Sequence, residues 1–449
     1  MGKEKLFESM KPGKALMIMA VPTIASQLII LIYNLADTWF IGRTNNPYMI
    51  GASSLALTVY LTAVALANVF GVGGGTLMVR LIGEGKKDDA RKVVSHAVTA
   101  SAIAALVFSV IVLILMDPIL RMLGANENTL TYGRQYLLTT TVIGGIPTVL
   151  SMSMPQLLRN AGYSKEAGIG VGLGSIANIA LDPLFMFVIL PKGSEVLGAG
   201  IATALSNVIS LIYFIILFRK VRSKSVLDLP KRIEKIGKEN AKSFYSVGIP
   251  AAFAIFLFDL VTIVINRLVV AYGDIPLASM GIVLKLERLP IQIGLGICLG
   301  MVPLVGYNFG SGNYKRMNDF VKLSRIAILA FSVICAAVFF IFPEQIVGIF
   351  IKDEATVSQG AVFLRGRCFS LPFMMIGYHV VNYMNAVNKG KVSFLLAIIR
   401  HIVLIIPILI VMNAIWGLNG LIWAQLVADA INASIACLIF YKVNSKLKD

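Results

Sequence analysis

The sequence predicts an all-α, polytopic membrane protein with twelve transmembrane helices in two six-helix lobes. Three observations predict it. Hydrophobic residues make up 57% of the 449 residues and charged residues only 14%. An ordinary soluble domain carries about 25% charged residues, so these charges are too few to cover a water-soluble globule of this length. The apolar residues gather into many nearly uncharged stretches of about 20 residues, the length a bilayer-crossing helix needs. The two halves of the chain also share an ordered set of proline, glycine and asparagine positions. This composition, with a mean hydropathy of +0.82, excludes a disordered chain, a disulfide scaffold and a nucleic-acid-binding domain.

The elements follow in order. Met1 to Lys14 is polar and charged, and no short apolar region with a small-residue cleavage site follows it, so no removable signal is expected. The apolar spans then run over 15–42, 49–79, 93–116, 130–158, 166–190, 196–218, 245–272, 277–305, 319–342, 356–388, 391–412 and 416–441. Several exceed the bilayer requirement and call for tilt, kinks or extension into water. Pro22, Pro147, Pro155, Pro183, Pro250, Pro290, Pro303, Pro372 and Pro407 lie inside spans. Each removes a backbone hydrogen bond and bends its helix, a pattern that suits moving helices better than a static anchor.

The net charge of +17 and the pI near 9.7 acquire a meaning once each charge is placed. Most Lys and Arg fall in the two tails and in the loops on the same side as the tails. The opposite loops hold only Arg43, Arg121, Lys192 and Lys352. The bias predicts cytoplasmic termini in a cell membrane. The longest polar interruption, Arg219 to Lys242, falls near mid-chain. It predicts a basic cytoplasmic linker over 219–244 between an N-terminal lobe (1–218) and a C-terminal lobe (245–449). Within it, 226–236 reads as a short amphipathic helix on the membrane surface.

The repeat is read by offset. Pro22 matches Pro250 at 228, and Gly83-Glu84-Gly85 matches Gly310-Ser311-Gly312 at 227. Asn160-Ala161 matches Asn385-Ala386 at 225, Pro183 matches Pro407 at 224, and Gly200 matches Gly420 at 220. The steady shrinkage is what small loop deletions produce. Six is even, so both halves enter the membrane in the same direction, as a parallel repeat about the membrane normal. A two-lobe plan of this kind leaves a cleft suited to alternating access.

Ionisable residues inside spans are costly and point to function. Asp37 shares a helix face with Tyr33 at four-residue spacing, next to Asn34, and Asp182 shares one with Asn178. Thr203 and Asn207 give span six a similar stripe. A carboxylate with amide and hydroxyl oxygens suits a hard cation, and a desolvated carboxylate equally suits a proton, so the donor set admits H⁺ and Na⁺ alike. The alternative for both acids is a helix-end carboxylate near the outer interface. By the offsets, Asp182 corresponds to Ile406 and Asp37 to Ile265 or Asn266, so the lobes are chemically unequal and ion coupling belongs to the first. Tyr33 and Asn34 in the first lobe, and Asp259 and Glu287 in the second, are candidates for the substrate cleft. Lys285 and Arg288 are expected to neutralise Glu287.

Other features carry less. His96, His379 and His401 are scattered and lack zinc-site spacing. Cys298, Cys335, Cys368 and Cys437 read as packing residues. Gly71 to Gly75 lacks a following Gly-Lys-Ser/Thr and reads as close helix packing or a bend, not a phosphate loop. No nucleotide motif, cofactor motif, clustered nucleophile or metal set points to an enzyme.

Four stretches carry a resemblance: Pro22 with Asn34 through Gly42, Gly83-Glu84-Gly85 with Arg91, Leu158 through Gly162, and Asn178 through Phe185. On these residues the sequence resembles the multidrug and toxic compound extrusion (MATE) transporters, and is similar to their bacterial DinF-like and MepA-like branch. The resemblance implies a V-shaped pair of six-helix bundles and H⁺- or Na⁺-coupled antiport of amphipathic, mostly cationic organic compounds. It places the ion site at Asp37, Asn178 and Asp182, with Thr203 beside them, and a helix-seven acid near Asp259. Pro22 would let span one bend. The expected partners are small organic cations and membrane lipids, with no nucleic acid and no cofactor beyond the coupling ion, in a monomer. The alternative is a flippase of lipid-linked precursors with the same two-lobe plan, which would need a cationic cleft.

Overall fold

The computed structural model describes residues 4–230 and 234–446, and the described residues form helices joined by turns, without a strand. After a short helix, Glu4–Glu8, come α1 (Pro12–Gly42), α2 (Pro47–Gly83) and α3 (Lys87–Ile114). Helix α4 runs Glu127–Ile143 and, after a 55° bend, Gly145–Asn160. Then follow α5 (Ser164–Ile189), α6 (Glu195–Val221), α7 (Lys238–Tyr272), α8 (Asp274–Gly310) and α9 (Tyr314–Ile341). Helix α10 has two parts, Glu354–Cys368 and Leu371–Ala386. The last run, Gly390–Ser445, breaks at Gly417 (φ 56°, ψ −136°) into α11 (390–416) and α12 (418–445).

Nine of the described helices are long and apolar enough to cross a membrane, ten with the bent α4. Dividing the final run at Gly417 and counting the two-part α10 gives the twelve expected passes. The protein is a multi-pass membrane protein. Its helices overrun the predicted spans mainly at polar ends, as at Lys87, Lys238 and Tyr314, because a helix continues past the hydrocarbon while water satisfies its polar side chains. The sequence gap at 413–415 is helical instead, and the break falls at Gly417, where the positive φ favours a residue without a Cβ.

The repeated motifs are repeated turns. Gly85 and Gly312 both take positive φ (77° and 72°) and end α2 and α8. The amide after each donates back across the turn, Lys86 N to Leu81 O at 2.9 Å and Asn313 N to Asn308 O at 2.9 Å. Gly162 and Asn388 end α4 and α10 in the same way, with Tyr163 N to Leu158 O and Lys389 N to Met384 O. This is the helix-ending Schellman pattern. The in-span prolines are not all mid-helix: Pro372 stands in the first turn of the second part of α10, where the missing N–H costs nothing, whereas Pro22, Pro250 and Pro407 lie inside α1, α7 and α11, Pro407 just after a π-helical turn.

One expectation fails in its described part. Residues 226–230 and 234–237 are not helical, and 231–233 lie outside the described residues. Ser225 Oγ accepts the Leu227 amide (3.1 Å) and Asp228 Oδ1 accepts the Leu229 amide (2.8 Å). Such local side-chain acceptors compete with helix formation, and Pro230 has no N–H to continue one. Val226 and Leu227 are buried against Phe218 and Phe244, so the apolar residues face the protein core.

The chain forms two compact units. The first comprises Met1–Ser9 and Ala25–Ala252, the second Met10–Ile24 and Phe253–Asp449. The unit borders in α1 and α7 fall two residues beyond Pro22 and Pro250. In the first unit, the start of α7 lies against the glycine run of α2: a Cβ at Gly73 would stand 2.6 Å from Phe244 O, and one at Gly248 2.1 Å from Val69 O. In the second unit, the start of α1 lies against α8 in the same way, with a Cβ at Gly300 only 2.6 Å from Ala20 Cα and one at Gly296 2.6 Å from Ile24 Cγ1. The expected role of the glycine run in close helix packing therefore stands.

Candidate functional site

In the first unit, α5 presents Asn178 and Asp182 one turn apart, both buried, Asp182 completely. Pro183 follows directly, and the next turn, Leu184–Ile189, is π-helical. A proline cannot donate to the carbonyl four residues back, and a π turn is a common local answer at functional positions. Because the helix continues to Ile189, Asp182 is not a helix-end carboxylate. Asn178 Nδ2 reaches Asp182 Oδ1 and Thr203 Oγ1, each at 3.4 Å, long for hydrogen bonds. Asn178 Oδ1 and Asp182 Oδ2 have no hydrogen-bond partner among the described residues.

Asp37 joins this group from α1. Its Oδ1 is also buried without a partner. Asp37 and Asp182 act on each other electrostatically, and Tyr136 of α4 lies within reach of both and near Thr203. Two carboxylates, an amide and a hydroxyl thus come together from three helices with three oxygen acceptors unfilled. Buried acceptors without donors are costly, and a hard cation or a proton supplies what they lack. A tyrosine–amide row adjoins the group: Tyr33 lies near Tyr60, and Tyr60 near Asn207. Asn207 in turn donates to Thr148 Oγ1 (3.0 Å) and accepts from Ser151 Oγ (3.1 Å). Asn34 is exposed and lies outside this row. Neither cluster holds three His, Cys, Asp or Glu side chains in metal-ligating reach among the described residues.

The second unit corrects one expectation. Glu287 is buried, but its partner is neither Lys285 nor Arg288, both exposed. Arg367 of α10 grips it with two parallel bonds, Nε to Oε1 at 2.7 Å and Nη2 to Oε2 at 2.8 Å. Sequence spacing favoured neighbours on the same helix, but i, i+1 and i, i+2 side chains do not face each other on a helix. Asp259 is half-buried and lies within electrostatic reach of Arg288. A second buried pair joins α11 to α12, Arg400 Nε to Asp429 Oδ1 at 2.8 Å, and Gln425 Nε2 donates to Asp429 Oδ2 at 2.7 Å.

Tyr60, Tyr136, Arg367, Gln425 and Asp429 were absent from the sequence-derived candidates. An in-span tyrosine carries no signal of its own, since interface belts use the same residue. Arg367 and Asp429 did carry one: they are charges inside apolar spans, subject to the rule that singled out Asp37 and Asp182. His96 and His379 take structural contacts, with Tyr245 hydroxyl (3.1 Å) and Ser324 Oγ (2.8 Å).

Comparison with known proteins agrees with this architecture. The MatE family model matches twice, over residues 22–184 and 250–411, beginning at the paired prolines. The multidrug export protein MepA of Staphylococcus aureus is 32% identical over 441 residues, covering 98% of this chain and 96% of that protein. Its counterpart in Staphylococcus saprophyticus is 31% identical with the same coverage. Among solved structures, a MATE in complex with MaL6 superposes with a TM-score of 0.93 at 22% identity, covering 100% of this chain and 99% of that one. An outward-facing multidrug resistance MATE family transporter of the MOP superfamily gives 0.91 at 23% identity, with the same coverage.

Proposed function

This chain belongs to the MatE family, a family of transporters and not of enzymes, and on that premise we propose that it is a multidrug exporter driven by cation antiport. Export of several compounds follows from the MepA relatives, which match it over nearly their full length. The antiport reading rests on the first-unit cluster. Its carrying observation is the set of three buried acceptors without partners: Asp37 Oδ1, Asn178 Oδ1 and Asp182 Oδ2.

In this reading H⁺ or Na⁺ enters the group, with Asp37 and Asp182 as charge carriers and Asn178 and Thr203 as neutral oxygens. Occupied, the acceptors are satisfied; empty, two carboxylates repel in a dry site. The ion drives transport because it binds one conformation better than the other. Pro22 lets α1 bend as Asp37 changes its charge state. Amphipathic organic cations are the substrates, exported by alternating access, with both termini cytoplasmic.

The test is substrate efflux from proteoliposomes under an imposed pH gradient, then under an imposed Na⁺ gradient. Asp37→Asn and Asp182→Asn are expected to abolish ion-driven efflux while the protein still folds. Wild-type rates in both variants would overturn the assignment. The gradient that supports efflux identifies the ion.

A further inference from the structure

Within the second unit lies a cavity of about 50 Å³ lined by charged groups that the antiport reading does not use. Arg288, Arg367 and Arg400 line it, with Glu287 as the single acid in its wall. The charge balance is decided by who is already engaged. Glu287 has both oxygens on Arg367. Asp429 has one on Arg400 and the other on Gln425. Arg288 has no carboxylate within ion-pair distance among the described residues; its guanidinium rests 6.0 Å from the Phe258 ring centroid. Asp259 reaches it only electrostatically.

Two donors remain unspent. Arg367 is 2% exposed and its Nη1 has no hydrogen-bond partner among the described residues. Arg288 keeps its whole guanidinium. The π-helical turn Ile399–Ile405 brings Arg400 and His401 to the same wall. Arg400 Nη1 lies 3.0 Å from His401 Nε2, and His401 Nδ1 lies 2.8 Å from Ala397 O. A guanidinium only donates, so Nε2 accepts and Nδ1 carries the proton. This imidazole is neutral and adds no acceptor for Arg367. A buried guanidinium with an orphaned N–H, beside a second unpaired guanidinium, lacks an acceptor that is anionic and small.

We infer that this cavity is an anion site for one carboxylate-sized monovalent anion, held by Arg367 Nη1 and Arg288 while Glu287 and Asp429 keep the arginines in place. A cavity of about 50 Å³ exceeds the roughly 10–15 Å³ that one water needs on the same measure, so it admits a carboxylate group or a halide. Paired guanidinium N–H groups match a carboxylate's two oxygens. The anion has two sources, inorganic chloride or the carboxylate of a zwitterionic substrate. The second source deepens the exporter reading and rests on it; binding itself does not.

The experiment uses the purified full-length protein in nanodiscs and follows thermal unfolding with benzoate, its neutral isostere benzamide, and chloride replaced by gluconate. Saturable stabilisation by benzoate and not by benzamide is expected. Arg288→Gln, which breaks no ion pair, is expected to weaken it about tenfold, the loss of one charge-assisted contact. Glu287→Gln/Arg367→Gln, which leaves no buried charge uncompensated, is expected to abolish it. Competition of chloride with benzoate assigns the inorganic source, and benzoate binding without chloride competition assigns the substrate carboxylate. Equal stabilisation by benzoate and benzamide, or benzoate affinity unchanged in both variants, would overturn the site. Ethidium efflux by the wild type is measured in parallel, and its absence defeats the exporter reading alone.

Discussion

The charged side chains buried in this protein differ in how they are compensated, and on the antiport reading proposed above that difference separates structure from transport. Glu287 with Arg367 and Asp429 with Arg400 are closed pairs with short bonds. Removing one member strands its partner, which for a buried pair costs about 3–5 kcal/mol. Asp429→Ala is therefore expected to lower the thermal midpoint sharply, whereas Asp429→Ala/Arg400→Leu recovers most of it; differential scanning fluorimetry of the purified protein checks both. Asp37 and Asp182 have no basic partner within ion-pair distance among the described residues and keep oxygens unfilled. Neutralising them removes a liability as well as the proposed ion site. Asp182→Asn is expected to leave the thermal midpoint unchanged or raise it, in the preparations that test efflux. A fall as large as that of Asp429→Ala would place Asp182 with the structural pairs.

At the level of helices, glycine serves two separate purposes. Gly85 and Gly312 are conformational: nothing lies within 4 Å of a Cβ built on either, and both take positive φ. Gly85→Ala is expected to cost about 1–2 kcal/mol from the backbone alone, read as a modest loss of thermal stability. Gly73 and Gly300 are steric: their φ is ordinary, but a Cβ would meet neighbouring backbone at 2.6 Å. Gly73→Val and Gly300→Val are expected to prevent the starts of α7 and α1 from docking and to cut the yield of monodisperse protein on size exclusion, where Gly85→Ala leaves it intact. The sequence offset pairs Gly73 with Gly300 and Gly85 with Gly312, so each repeat carries both uses at the same places. The π-helical turns beside Pro183 and before Pro407 show a third local device, one that no hydropathy or spacing argument reveals.

For the whole molecule, the charge bias makes a topological prediction. Single cysteines introduced as Lys192→Cys and Ser223→Cys, both exposed positions, are expected to react differently with an impermeant maleimide. Lys192→Cys should label in intact cells and Ser223→Cys only after permeabilisation; the reverse pattern would invert the assigned orientation. Much of the architecture was legible from the sequence, because a bilayer demands long apolar helices and a duplicated chain repeats its turn residues. The helix count, the repeat and the acids on α1 and α5 all follow from these local constraints. The partner of Glu287 did not, because Arg367 is distant in sequence and only packing brings α8 and α10 together. Nor did Tyr136 beside Asp37 and Asp182, the burial of Val226 and Leu227, or the unit borders beyond Pro22 and Pro250. Sequence alone determined which residues are expensive to bury. The tertiary structure decided which of them are compensated, since compensation depends on distances between helices that periodicity does not encode.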